Sequence, residues 1–239
     1  MATSNPHKYT FRTLVEAFKH PPGDSTGFIS DDFPWSDEGL ILELLSIRSS
    51  ILTNAIDGSQ RVSQQPVQIL DCVEFEEADR NECPCELPSG CYWLKSLRPI
   101  PKYIKISAVT GIVPNEQQPI FNSIMWPLIK YIPSARNIAQ RRGKYFTLRD
   151  TGSGRYMYLI GDRFLEKAAI TGVWENPMEA AAFPRCGTQD KQKLCNPMDT
   201  EVYTDSELIN VILMQGWAKL LPTRQQAPTD KKNNDQPNI

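Results

Sequence analysis

Apolar positions in the first quarter of the chain recur at intervals of three and four. Over residues 10–18, Phe11, Leu14, Val15 and Phe18 fall on one helix face, and His20, Pro21, Pro22 and Gly23 stop it. A second helix is expected from Ser36, whose hydroxyl can accept from a first-turn amide, with Asp37 and Glu38 at the positive end of the dipole. Its stripe of Leu40, Ile41, Leu44, Leu45, Ile47, Ile51, Leu52 and Ala55 runs to Asp57, with Gly58 expected as a left-handed cap. Neither helix is long enough to stand alone in water, so the pattern predicts that their apolar faces pack first on each other.

From Gln68 the period changes to two. Segments 68–74, 92–97, 103–108, 144–149, 155–160 and 167–174 are short, rich in Ile, Val, Tyr and Phe, and separated by Pro, Gly and Asn, which predicts six strands. Residues 150–154, with two glycines, have the length of a hairpin loop. Residues 116–142 contain Pro119, Pro127 and Pro133 and are expected to be irregular cover holding Phe121, Trp126 and Tyr131. Asn176-Pro177 starts a helical turn running through Ala182. Thr204 or Asp205 can cap a last helix with Leu208, Val211, Ile212 and Leu220 on one side, ended by Pro222.

These elements predict an α+β fold in which the terminal helices form a small antiparallel bundle with an inserted antiparallel β-sheet or sandwich. The corresponding divisions are a helical part at 1–66, a strand-rich insert at 67–186, a helix completing the bundle at 187–222 and a tail at 223–239. The tail has almost nothing to bury and is expected to be disordered until a partner orders it.

Charge and composition narrow the function. A net charge of -2 argues against a general nucleic-acid coat, which needs clustered Lys and Arg to displace counterions. Residues 1–9 lack the apolar core of a signal peptide and no run of about 18 apolar residues occurs, so the expectation is cytoplasmic synthesis and no membrane partner. Nucleophilic catalysis usually needs a histidine base, and the two histidines, His7 and His20, lie near the N-terminus and beside a proline. The glycine loop at 151–154 lacks the Lys-Ser or Lys-Thr of a phosphate-binding loop. The chain is therefore not expected to be an enzyme or to carry a cofactor.

Three clusters remain. Glu74, Glu76 and Glu77 can hold a hard cation, though acids at a strand end are usually solvated. Arg136, Arg141, Arg142 and Lys144, beside Tyr145 and Phe146, can contact phosphate or an acidic neighbour, against the plainer reading of a solvated loop. Cys72, Cys83, Cys85 and Cys91 offer four thiols in one region, which would suit tetrahedral zinc in a nucleic-acid-binding module. The single residue between Cys83 and Cys85 departs from the usual paired spacing, and buried thiols are the plainer reading. Cys186 and Cys195 are a weaker pair of the same kind. In a reducing cytoplasm all six are expected as thiols or ligands before disulfides.

The order of several short motifs resembles a family of structural proteins of tailed bacteriophages. These are Asp71-Cys72-Val73-Glu74-Phe75-Glu76, Asn81-Glu82-Cys83, Pro88-Ser89-Gly90-Cys91, Arg98-Pro99-Ile100-Pro101, the strand 155–160 and Gly172-Val173-Trp174-Glu175-Asn176-Pro177-Met178-Glu179-Ala180. The resemblance implies a head-to-tail connector or neck adaptor of the crAss-like, short-tailed type. Such a protein forms rings of about twelve copies, docks on the portal and other neck or tail proteins, lines part of the DNA passage and resides in the virion. It implies no catalytic residues. Trp35, Trp126, Tyr131, Trp174 and Trp217 are then the candidate interface anchors, although each such residue is more often core than interface.

Overall fold

The computed structural model describes residues 9–20, 35–58, 66–79, 93–114, 117–131, 143–162, 164–184, 186, 196–204 and 206–220. The expected disordered tail, Arg136, Arg141, Arg142, Cys83, Cys85, Cys91 and Cys195 lie outside them. The chain divides into two units, residues 64–203 and a helical unit formed by 1–63 with 204–239.

In the first unit the alternating segments form strands β1 (Gln68–Glu77), β2 (Trp93–Ser96), β3 (Tyr103–Gly111), β4 (Ile120–Ser123), β5 (Tyr145–Thr151), β6 (Gly154–Ile160) and β7 (Lys167–Trp174). They close into a barrel in the order β1-β2-β6-β5-β4-β3-β7. The expectation of a helical bundle with an inserted antiparallel sheet or sandwich is thereby overturned: the structure is mostly sheet, and the sheet closes on itself. The cause is β4, which falls in the stretch expected to be irregular. It pairs antiparallel with β3 and parallel with β5, and so joins the two edges that an open sheet would leave free. The register shifts in β1 against β7, between Leu70 and Val73, and in β3 against β7, between Tyr103 and Lys105 and between Ile106 and Ala108.

Inward positions fill the barrel with Leu70, Val73, Phe75, Leu94, Val109, Phe146, Met157, Leu159, Ile170 and Trp174. The β5–β6 hairpin turns on Gly152 and Ser153, tighter than its loop reads in sequence, and Gly154 follows at φ +139°. Arg155 donates to both Asp150 carboxylate oxygens at 2.6 and 2.9 Å, which holds that exposed carboxyl below its ordinary pKa.

One seam needs a separate closure. β2 pairs with β1 only at Phe75–Glu77, while the first half of β1 is bound on its other side to β7. The helix α3 (Pro177–Ala181), capped by Asn176, packs beside β1, and Gln68 donates to the Pro177 carbonyl at 3.2 Å. Beyond α3, Phe183 and Pro184 line a small cavity together with Cys72, Val73, Glu74, Leu97 and Arg98. A disulfide from Cys72 to Cys186, with Cα atoms 5.4 Å apart, pins this strap to β1.

In the helical unit, α1 (Phe11–Lys19) is capped reciprocally by Thr10 and Thr13, and α2 (Asp37–Asp57) by Ser36. Gly58 ends α2 at φ -71°, not in the left-handed conformation expected of it, and its amide donates to the Asn54 and Ile56 carbonyls. By length and composition α2 is apolar enough to cross a membrane. Here it packs on α1 and on α4 (Ser206–Leu220), and it carries the buried Arg48, whose pKa burial pushes down to about 10.

The buried line of α4 is Ile209, Ile212, Leu213, Gly216 and Leu220, whereas Val211 is exposed, so the face is rotated from the one expected. Gly216 sets that rotation. A Cβ there would stand 2.8 Å from the Phe18 ring and 3.3 Å from Leu44, so only glycine permits the approach. Gly216→Val is expected to cost about 1–3 kcal/mol through overpacking, seen as a lower midpoint in urea denaturation followed by circular dichroism.

Candidate assembly surface

Alternation along β2, β6 and β5 sends one set of side chains into the barrel and the other to its outer wall. The outer set includes Trp93 on β2, Tyr158 and Ile160 on β6, and Tyr145 on β5. Trp93, Trp126 and Tyr158 meet edge to face, with centroids 5.5 Å apart for Trp93–Trp126, 6.4 Å for Trp93–Tyr158 and 5.1 Å for Trp126–Tyr158. Cations frame the cluster. Arg149 stacks 4.8 Å from the Trp126 ring centre, and Lys95 sits 4.5 Å from that of Tyr156.

Trp126 reaches this wall on a 3-10 helix, Trp126–Tyr131. The chain leaves β4, the Ile124 amide donates to the Phe146 carbonyl of β5 at 2.9 Å, and the Met125 carbonyl accepts the first helical bond from Leu128. Three residues per turn place every third side chain on the same side. Trp126 and Ile129 point to the barrel, Ile129 completely buried. Met125, Leu128 and Tyr131 form a second row, also apolar, and they are 73%, 48% and 56% exposed. Lys130 lies beside that row, 5.2 Å from the Tyr131 ring centre. The 3-10 helix thus buries one apolar row against the barrel and presents another to solvent.

A concave feature lies along the first half of β1. A groove of about 320 Å³ is lined by residues 67–72, Ala180, Ala181, Phe183, Pro184 and Tyr203. Ile69 is more than half exposed in it, and Leu97 is exposed across the seam. Asp71, Glu76 and Glu77 are exposed on β1, with Glu74 half-buried among them.

Of the residues singled out from sequence, Trp126 and Tyr131 come together on the 3-10 helix. Trp35 is partly exposed just before α2. Trp174 is completely buried in the barrel, which makes it part of the subunit's own core. Trp217 donates its indole N–H to the Phe18 carbonyl at 2.9 Å and so ties α4 to α1. Lys144 pairs with Asp162 at 2.5 Å, so its charge is met within the fold. Cys72 is taken by Cys186, a correction to its reading as a free thiol or zinc ligand. Among the described residues no three of His, Cys, Asp and Glu converge as a metal site. Trp93, Tyr158, Met125 and Leu128 were not visible as site residues, because their meeting depends on the β2–β6 register and on a three-residue helical period.

What this geometry defines is a β-barrel protein whose outer wall carries an exposed apolar row and a groove. A family model described as phage tail ring protein 2, of the crAss ring type, matches residues 27–239, and the chain belongs to that family. It is a structural component of the virion, of the ring kind. The search of curated proteins finds no match.

Proposed function

We propose that this chain is one subunit of a ring of about twelve copies that joins the portal of the phage head to the tail and surrounds part of the path of the genome. The match to the ring family over residues 27–239 carries this reading. The motif order that resembles connector and neck adaptors supports its finer part, and so does the apolar row of the 3-10 helix, a surface that gains by being covered. The ring is a passive joint that turns over no substrate and binds no cofactor. Its partners are its own copies, the portal, other neck or tail proteins and, transiently, DNA, and it is assembled in the bacterial cytoplasm without a membrane.

Electron microscopy of intact particles tests this directly. The expected result is a closed ring of barrels on the particle axis, immediately below the portal. Density for this chain at the distal tail tip, or off the axis, would refute the connector role.

A further inference from the structure

We propose that the Cys72–Cys186 bond is a redox latch that closes late: the chain folds and joins the particle as a dithiol, and oxidation after release from the host locks the segment behind α3 onto β1. This rests on the reading that the chain is assembled in the bacterial cytoplasm, and adds a covalent step that follows assembly. The structure holds a disulfide, whereas a reducing cytoplasm keeps such pairs as thiols. Both statements hold when the bond forms in a different compartment from the one in which the chain is made. A virion component passes through both, being built inside a cell and released outside it.

The fold brings the two cysteines together by contacts that do not need the bond. Gln68 donates to the Pro177 carbonyl at 3.2 Å, which fixes the start of α3 against β1. At its end, the Ala182 amide donates to the Met178 carbonyl at 2.9 Å and the Phe183 amide to the Ala180 carbonyl at 3.2 Å, and Phe183 packs against the barrel core. The Cα atoms of Cys72 and Cys186 then lie 5.4 Å apart, within the span a disulfide bridges. With 114 positions between them, the two meet only once the barrel has formed, so pairing follows folding.

Small oxidants can reach the pair. Both cysteines are half-buried, and Cys72 lines the open groove of about 320 Å³ as well as the small cavity beside Phe183 and Pro184. The oxidant is a low-molecular-weight disulfide such as oxidised glutathione. One protein thiolate attacks it, forming a mixed disulfide and releasing one small thiolate; the second protein thiolate then attacks the protein sulfur of that bond and releases the other. The two protons lost by the cysteines end on the two small thiols, so two protein thiols are oxidised as one disulfide is reduced. In the dithiol, packing alone holds the end of the segment to β1, and it can yield while subunits are fitted together. In the released particle it is held covalently.

The test compares thiol labelling before and after release. Infected cells are quenched in acid and alkylated with N-ethylmaleimide, and particles released into aerated medium with oxidised glutathione are treated in the same way. Peptides carrying Cys72 and Cys186 are expected to be labelled in the cells and to lose that label more than about tenfold in the particles. Equal labelling in the two samples, whether both thiol or both disulfide, would overturn the latch. Micrographs of the same particles report separately whether a ring of this chain is present, so failure of the latch and failure of the ring reading are told apart. The variants Cys72→Ser and Cys186→Ser give a second readout: each is expected to assemble in the parent's yield and to lose infectivity at a lower temperature. A fall in yield in either variant would show that the bond is needed during assembly, and unchanged heat resistance would show that it locks nothing.

Discussion

Reducing the Cys72–Cys186 disulfide is expected to lower the thermal midpoint of the barrel unit by about 10 °C or more. The bond joins residues separated by 114 positions, and closing a loop of that length removes about 4–5 kcal/mol of unfolded-chain entropy in the usual estimate. The effect has a definite place in the fold. Phe183 packs against the barrel core and lines, with Pro184, a small cavity beside β1, and the disulfide covalently ties the segment that carries them to that strand. Cys72→Ser should show the same lowered midpoint without reductant and no further response to it. Hydrogen exchange should rise first in residues 180–186 and along the first half of β1. Superimposable melts with and without reductant would show that the bond does not restrain the barrel.

The second large effect is expected at Trp174. Its side chain is completely buried among the inward residues of β1, β3, β6 and β7. Trp174→Ala should cost about 3–5 kcal/mol, because the closed wall cannot collapse into the space left behind. Trp35→Ala, at a partly exposed position, should stay within about 0.5 kcal/mol of the parent. Chemical denaturation of both variants, followed by far-ultraviolet circular dichroism, measures the contrast. A Trp174→Ala protein as stable as Trp35→Ala would mean the barrel interior is not packed as described.

The elements whose period extends over several residues were legible in the sequence. The four apolar positions of α1, the Ser36 cap of α2, the six alternating segments and the Asn176-Pro177 helix start all stand near their expected places. What escaped was shorter or depended on distant pairing. β4 has four residues and a single buried side chain, Phe121, between the exposed Ile120 and Asn122, too brief to show alternation, yet it turns an open sheet into a barrel. The buried face of α4 was misplaced because Gly216, with no side chain to register as apolar, is its point of closest approach. Compartment reasoning favoured thiols, and nothing in local spacing pairs Cys72 with Cys186 across most of the barrel.

The proposed assembly surface was half legible. Trp126 and Tyr131 stood out as large residues in a proline-rich stretch, but the proline spacing pointed to irregular cover. Read with a period of three, the same residues separate into a supporting row and a presented row, a distinction that the usual 3.6-residue period blurs. Trp93 and Tyr158 meet Trp126 only because β2 lies beside β6, a pairing between segments far apart in the chain.

The filled interior of the barrel sets how an assembly of these subunits can be hollow. Met157, Leu159, Ile170 and Trp174 occupy the space along the strand axis, so the barrel of each protomer is solid and not a tube. Any bore must therefore open between subunits, with a width fixed by how many of them close the hoop.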